Sequence, residues 1–341
     1  VAGDRGAIDA HRATVRALAK PGQALAPDGP NATVHNPEWF RYVGGRAIVR
    51  SGRAELHDRL IREVVESRPG VRFENRAIVL AGPPGAGKST VLRDEILGDT
   101  ANEWLSIDAD DFKHALLRAA IDDGSYDAFL KPAVVKDHEA AGEKFFPLEL
   151  ASLVHEESSE LAKRLRGEAI RAGANIVIDT VLSSEVSALG LGKQLEEAGY
   201  GVDVVDVEVP YELSESRIAK RWQQSYEVAL ESGEGLGGRW VPSEYARAVF
   251  DGPDGRSLSE FVAERLAAEC GAVDHYRRFR TAAEGADRVL EVDKVRLTPR
   301  SKLVDASVAA VRARATDGLA SPRRPAPRAR DGRGRDDRGR E

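Results

Sequence analysis

Residues 82–90 read Gly-Pro-Pro-Gly-Ala-Gly-Lys-Ser-Thr, and Gly82–Ser89 fits the pattern G-x-x-x-x-G-K-[ST]. This pattern suits a polyphosphate. Glycines let consecutive backbone N–H groups turn inward around phosphate oxygens. A helix that starts there adds its positive end to the same anion. Lys88 is expected to reach the β- and γ-phosphates, and the Ser89 hydroxyl to ligate Mg²⁺. The expected phosphate-binding segment is Gly82, Pro83, Pro84, Gly85, Ala86, Gly87, Lys88, Ser89 and Thr90. The competing reading is a glycine turn with an exposed lysine. The flanks argue against it, because the strand-like run AIVLA precedes the loop and a helix-like stretch follows it.

A second set of reactive side chains lies in WLSIDADDFK, where Asp108, Asp110 and Asp111 follow a strand-like run. A phosphotransferase needs a carboxylate that orients the acceptor hydroxyl and takes its proton. An Asp that opens the helix FKHALLRAAI would also cap free N–H groups. At least one of the three is therefore expected to be catalytic and one to cap. Asp179, after the apolar run NIVI, suits Mg²⁺ through water, a substrate hydroxyl, or a cap. No N-K-x-D guanine-selecting motif occurs, which favours ATP over GTP. The chain has no helicase-like body, so a kinase of small molecules fits its size. An NTP-driven switch or binding module, with Asp110 only capping, is the rival.

These side chains need a scaffold that brings strand ends together. Apolar runs at 77–81, 103–107, 175–178, 201–209 and 288–292 read as strands. Helical patterns at 148–172 and 184–198 lie between them, and AELHDRLIREVVES puts Leu56, Leu60, Ile61, Val64 and Val65 on one face. Strands alternating with helices predict an α/β P-loop NTPase fold: a parallel β-sheet flanked by helices, with right-handed crossovers. Residues 114–147 and 223–257 are helical insertions on the side where such sheets bind ligands. The expected organisation is a partly ordered N-terminal extension (1–53), a P-loop domain (54–316) and a disordered Arg/Pro/Gly-rich tail (317–341), which has too little apolar surface to offset ordering entropy.

Composition narrows the class. A formal charge of −6, with acids interspersed even in the Arg-rich tail, argues against nucleic acid as a partner. No apolar run approaches the roughly 20 residues of a membrane span, and VAGDRGAIDAHR lacks the apolar stretch of a signal peptide. The lone cysteine, Cys270, excludes an intrachain disulfide and reads as a buried apolar residue. A cytoplasmic protein is expected.

Taken in order, AGPPGAGKST, SIDADDFK, GANIVID, AGYGVDVVDVEVP, RIAKRW and GRWVP resemble the zeta toxin family of P-loop kinases over about residues 54–295. The resemblance implies transfer of the ATP γ-phosphoryl group to the 3′-hydroxyl of the amino sugar of UDP-N-acetylglucosamine. It implies that Asp110, the second acid of I-D-x-D, is the catalytic base and is assigned to Mg²⁺ with Ser89. It implies that Lys88 is the loop lysine and that Arg221 and Arg239 clamp the phosphates. A small helical antitoxin is the implied protein partner. The sequence departs from the family at its E-G-T, which here is Asp179-Thr180-Val181. Asp179 is then a substrate contact, together with a glutamate drawn from Glu156, Glu157 and Glu160; Glu156 and Glu160 are the leading candidates. His155 reads as structural or as a substrate contact. NAD, whose ribose hydroxyl is free, is the rival acceptor, and an antibiotic or another metabolite keeps the kinase without the toxin.

Overall fold

The computed structural model describes residues 5–299 and 301–311; the tail expected at 317–341 lies outside the described residues. Helix α1 (Arg5–Leu18) and a 3₁₀ turn (Thr33–His35) lead into a hairpin, β1 (Phe40–Val43) and β2 (Arg46–Val49). The hairpin turns on Gly44 and Gly45, both at positive φ (57° and 77°), which a two-residue loop between right-twisted strands demands. Helix α2 (Ser51–Glu66) follows and buries Arg53, His57, Leu60 and Ile61. The apolar stripe expected here extended to Val65, which is 47% exposed. The buried face instead runs toward the N-terminus through Arg53 and His57, polar residues that an apolar pattern does not count.

Strand β3 (Arg76–Ala81) ends in the glycine loop, followed by the short helix α3 (Lys88–Val91), a π-helical turn (Leu92–Leu97) and a 3₁₀ stretch (Gly98–Glu103). Then come β4 (Leu105–Ile107), α4 (Ala109–Asp122), a π-helical turn (Tyr126–Leu130) and α5 (Ala133–Ala140). The helix expected over 148–172 is two elements, a 3₁₀ stretch (Pro147–Val154) and α6 (His155–Ala172). Beyond lie β5 (Ile176–Asp179), α7 (Glu185–Glu197), β6 (Gly201–Glu208), α8 (Tyr211–Ser232), α9 (Ser243–Ala248), α10 (Leu258–Glu269), β7 (Val273–Arg280), β8 (Val289–Val295) and β9 (Val304–Asp305).

Seven strands form one sheet in the order β4-β5-β3-β6-β7-β8-β9. The first five in that order run parallel to their neighbours, and both faces are covered, as continuous apolar strands require. Along β3, Ala77, Val79 and Ala81 enter one core cluster while Ile78 and Leu80 enter the other. Two features depart from the sequence expectation, an unexpected strand and an antiparallel edge. Strand β7, VDHYRRFR, has a charge-rich sequence, yet Val273, Tyr276 and Phe279 are buried, and its arginines pair with acids: Arg278 with Asp206 at 3.0 Å and with Glu260 at 2.9 Å. Strand β8 pairs antiparallel with β7, because the short link between them cannot hold a crossover helix. Cys270 is buried, and its thiol lies 3.4 Å from the Gly192 carbonyl. No helix among the described residues is long and apolar enough to cross a membrane.

Candidate active site

The carboxyl ends of β3, β4 and β5 converge, and the reactive side chains sit there. Gly82 has φ 141°, and a Cβ on it would lie 2.3 Å from the Val207 carbonyl oxygen. Gly87, at φ 93°, starts α3. No other residue type fits these two places without moving the backbone. Helix α8 braces the loop from outside, with Ser214 Oγ donating to the Pro84 carbonyl at 2.6 Å. Lys88 Nζ donates to the Gly82 carbonyl at 2.9 Å and lies 3.6 Å from Asp179 Oδ1. The loop therefore has the shape and charge of a polyphosphate cradle. Thr90 continues α3, its N–H bonded to the Gly87 carbonyl.

The acids divide by role. Asp108 ends β4 and caps α4, accepting the Asp110 N–H at 2.8 Å. Burial, then the charges of Asp179 and Asp111, push its carboxyl up to about 7, against Arg239 and Lys88. Asp110 stands in the first turn of α4, bonded to Arg239 and, at 3.0 Å, to Lys113. Asp111 is exposed. The structure thus gives the capping role to Asp108 and turns Asp110 toward cations. Lys113, three residues on from Asp110, was not singled out by the sequence reading, although its i+3 spacing marks it.

Both arginines of the resemblance face this place. Arg221 lies on α8; burial among the cleft walls lowers its pKa, opposed by Asp108. Arg239 follows a glycine-rich turn. A Cβ on Gly237 would meet Phe146 at 2.3 Å, and one on Gly238 would meet the Trp222 carbonyl at 2.2 Å. Trp222 and Trp240, the sequence neighbours of the two arginines, pack edge to face with centroids 5.8 Å apart. Glu149 anchors this pair. Its carboxylate is fully buried and accepts from Trp222 Nε1 at 3.1 Å and the Phe146 N–H at 2.9 Å, and it pairs with His11 Nε2 at 2.9 Å. His11, from α1, also pairs through Nδ1 with Glu143 at 2.6 Å and stacks on Tyr226 at 4.6 Å. Burial alone would lower the His11 pKa, but Glu149 and Glu143 outweigh it and raise it. Arg217, one turn before Arg221, points at the loop and reaches the Gly85 carbonyl at 3.5 Å.

One cavity of about 1810 Å³ joins these groups. Pro83 to Ser89, Asp108, Asp110, Asp179, Arg221 and Arg239 line it, as do Glu156 and Glu160. The Glu160 carboxylate is tied to Lys163 at 2.6 Å, whereas Glu156 is exposed. Glu157 also borders the cavity, but its carboxylate is buried and already bonded. It is buried against α2, bonded to Arg53 at 2.6 Å and to His57 at 2.7 Å. Burial alone would raise its pKa, yet His57 and Arg53 hold it at about 2. His155 also lines the cavity; burial, then Lys113, lower its pKa. The insertion 223–257 contributes Arg239 to Val241 and Tyr245, but the insertion 114–147 contributes none of the lining residues. The facing wall comes from the N-terminal part, including Pro27, His35, Tyr42 and Arg46. Residues 114–147 pack into the core instead, through Leu116, Leu117, Leu130 and Val135.

Residues 137–273 match the family model described as Zeta toxin. The matched segment holds Glu149, Asp179, Arg221 and Arg239, while the glycine loop and Asp110 precede it. The chain is also similar in fold to the crystal structure of AvrRxo1-ORF1:AvrRxo1-ORF2 with sulphate ions (TM-score 0.53, 20% identity, 86% of this chain and 77% of that chain). The structure of the same pair with ATP matches at TM-score 0.51 and 20% identity, over 82% of this chain and 76% of that one. No match was found among curated proteins.

Proposed function

We propose that the chain is a zeta-toxin-type kinase that moves the γ-phosphoryl group of ATP to a hydroxyl of a small metabolite. A nucleotide sugar such as UDP-N-acetylglucosamine is the first acceptor and a dinucleotide such as NAD the second. The observation that carries this reading is the shared cavity. At about 1810 Å³ it exceeds the roughly 300–1,000 Å³ of a single-ligand pocket, and it places a complete phosphate loop beside paired acids and two arginines. That arrangement suits transfer between two bound molecules better than a switch, which needs room for one.

In this reading the loop N–H groups and Lys88 hold the β- and γ-phosphates, and Arg221 and Arg239 stabilise charge on the phosphoryl group in flight. Mg²⁺, which needs one or two carboxylates besides phosphate and water, is assigned to Ser89 and Asp110 and would shield phosphate charge. Asp110 orients the acceptor hydroxyl and takes its proton as the oxygen attacks phosphorus. Its bonds to Arg239 and Lys113 must loosen for that step, and a phosphoryl group drawing Arg239 away supplies the reason. Asp108 is a second candidate for the base, since its carboxyl is poised at about 7, where a general base works best. Asp179 and Glu156 accept hydrogen bonds from sugar hydroxyls, with Glu160 beside them once it parts from Lys163. A small helical antitoxin is the proposed protein partner.

The test is incubation with labelled ATP and Mg²⁺ in a metabolite extract, then with UDP-N-acetylglucosamine and NAD singly, with products resolved by mass spectrometry. Transfer to either supports the reading. ATP hydrolysis with no labelled acceptor would leave the switch.

A further inference from the structure

A polyphosphate-bearing acceptor needs a cation away from the ATP loop, and the acids of the cavity do not provide one. Most cations of the cavity are already partnered. Lys113 and Arg239 hold Asp110, Lys163 holds Glu160, Lys88 faces Asp179, and Arg217 holds Glu284. Arg166 differs. It lies about three turns into α6 from His155 and lines the cavity together with Thr180, Ser187 and Gln194 of the facing β5–α7 segment. Its Nε is buried without a hydrogen-bond partner, and no carboxylate of the described residues pairs with its guanidinium. Burial alone lowers its pKa, with no neighbouring acid opposing the shift.

A guanidinium cannot escape burial by losing its proton. A partly buried charge without a counter-ion is unfavourable, and other buried arginines have acids: Arg53 has Glu157, and Arg278 has Asp206 and Glu260. Thr180, Ser187 and Gln194, which line the same cavity, offer hydroxyls and an amide that can donate to an anion. Arg166 stands on α6, an element other than the phosphate loop and its helix, so an anion held by it is assigned to the other ligand.

We propose that Arg166 is the anion-binding residue of the acceptor half of the cavity, taking a phosphate of a phosphate-bearing acceptor through the bidentate geometry that a guanidinium offers. The proposal rests on the kinase reading for the acceptor's identity, and binding can be measured without turnover. The probe is uridine diphosphate, titrated calorimetrically into full-length protein whose P-loop is saturated with a non-hydrolysable ATP analogue and Mg²⁺. Wild type should bind it, Arg166→Gln should bind at least ~10-fold more weakly, and Arg166→Lys should fall between, since a lysine keeps the charge and loses the fork. Affinity for the ATP analogue should be the same in all three. Ligand-free Arg166→Gln should melt no lower than wild type, because the substitution removes an unpaired buried charge. Equal binding of uridine diphosphate by wild type and Arg166→Gln, no binding by wild type, or a lower melting temperature of the variant would each overturn the proposal. Phosphoryl transfer, scored separately, decides the kinase reading, so either can fail alone.

Discussion

Replacing His11 tests whether the N-terminal helix is built into the arginine clamp. His11 is 3% exposed and each ring nitrogen faces a carboxylate, Glu143 at 2.6 Å and Glu149 at 2.9 Å. Two ionised carboxylate partners call for both nitrogens to donate, and the raised His11 pKa favours the imidazolium. His11→Ala leaves Glu149 buried with only the Trp222 and Phe146 N–H groups as donors. Removing one partner of a buried ion pair costs about 3–5 kcal/mol, and the lost stacking on Tyr226 adds roughly 0.5–1.5 kcal/mol. A loss on the order of 4 kcal/mol corresponds to a melting temperature lower by on the order of 10 °C.

The pH dependence carries the sharper signature. The folded pKa of His11 is raised above its ordinary 6.5, so the folded state binds the proton more tightly than the unfolded chain. Its contribution is fully present below pH 6.5 and fades as pH rises through the raised value. The groups facing it are Glu143, itself paired with His138, Glu149, and Tyr226. The Glu149 pKa is raised by burial, against His11, and its share also fades with rising pH. Wild type should therefore lose stability from pH 6 to pH 8 more steeply than His11→Gln. Asp108 titrates near the same window in both proteins and cancels in the difference. A wild-type and variant pair that unfold within 1 kcal/mol of each other at pH 6, or whose pH slopes coincide, would refute the imidazolium bridge. Turnover of the still-folded variant should fall as well, because Trp222 and Trp240 adjoin Arg221 and Arg239; measuring kcat well below the melting temperature separates this from the loss of stability.

Lys88→Ala should abolish ATP binding in a titration while the circular dichroism spectrum stays unchanged. Asp110→Asn should keep ATP–Mg²⁺ binding and lower turnover by on the order of 10² or more, with Asp111→Asn doing far less; a larger effect from Asp108→Asn would move the base to Asp108. Glu157→Gln should destabilise the protein at neutral pH. It should also flatten the acid limb of the stability curve, because a carboxyl held at about 2 contributes stability above its ordinary 4.5 that is lost as pH falls toward 2. An unchanged acid limb would count against the Arg53–His57–Glu157 cluster.

What was legible in the sequence was what is local. The glycine loop, the strand before it and the acids of IDADD occupy a few neighbouring positions each, and their chemistry dictates residue types at fixed spacing. Strand β7 was hidden because its partners are acids on other elements: Arg277 and Arg278 read as solvated charge until Asp203 and Asp206 stand beside them. Val65 was misplaced on its helix because the face of α2 is set by Arg53 and His57 reaching a glutamate a hundred residues away. The three glutamates of α6 were equivalent in one dimension, and only packing separates Glu157, buried and bonded to Arg53 and His57, from exposed Glu156 and Glu160. Arg166 gave no signal, since an arginine on a charged helix resembles every other.

The same long-range logic explains how residues 5–57 come to form part of the cavity wall. Two buried carboxylates, Glu149 and Glu157, lie just before and just inside the start of α6, and each takes its cation from the N-terminal part: His11 for one, Arg53 with His57 for the other. Apolar contacts alone would tolerate sliding of α1 and α2 over the core. A buried carboxylate accepts only the register that brings its donors into line, because any other leaves a charge unpaired. Arg164 and Asp58 repeat the α2–α6 link at the surface at 2.6 Å. With both anchors set, the segment between them, which carries Pro27, His35, Tyr42 and Arg46, is held across the cavity from Asp110 and Asp179. The charged anchors thus hold the N-terminal part of the cavity wall in register with residues 149–157.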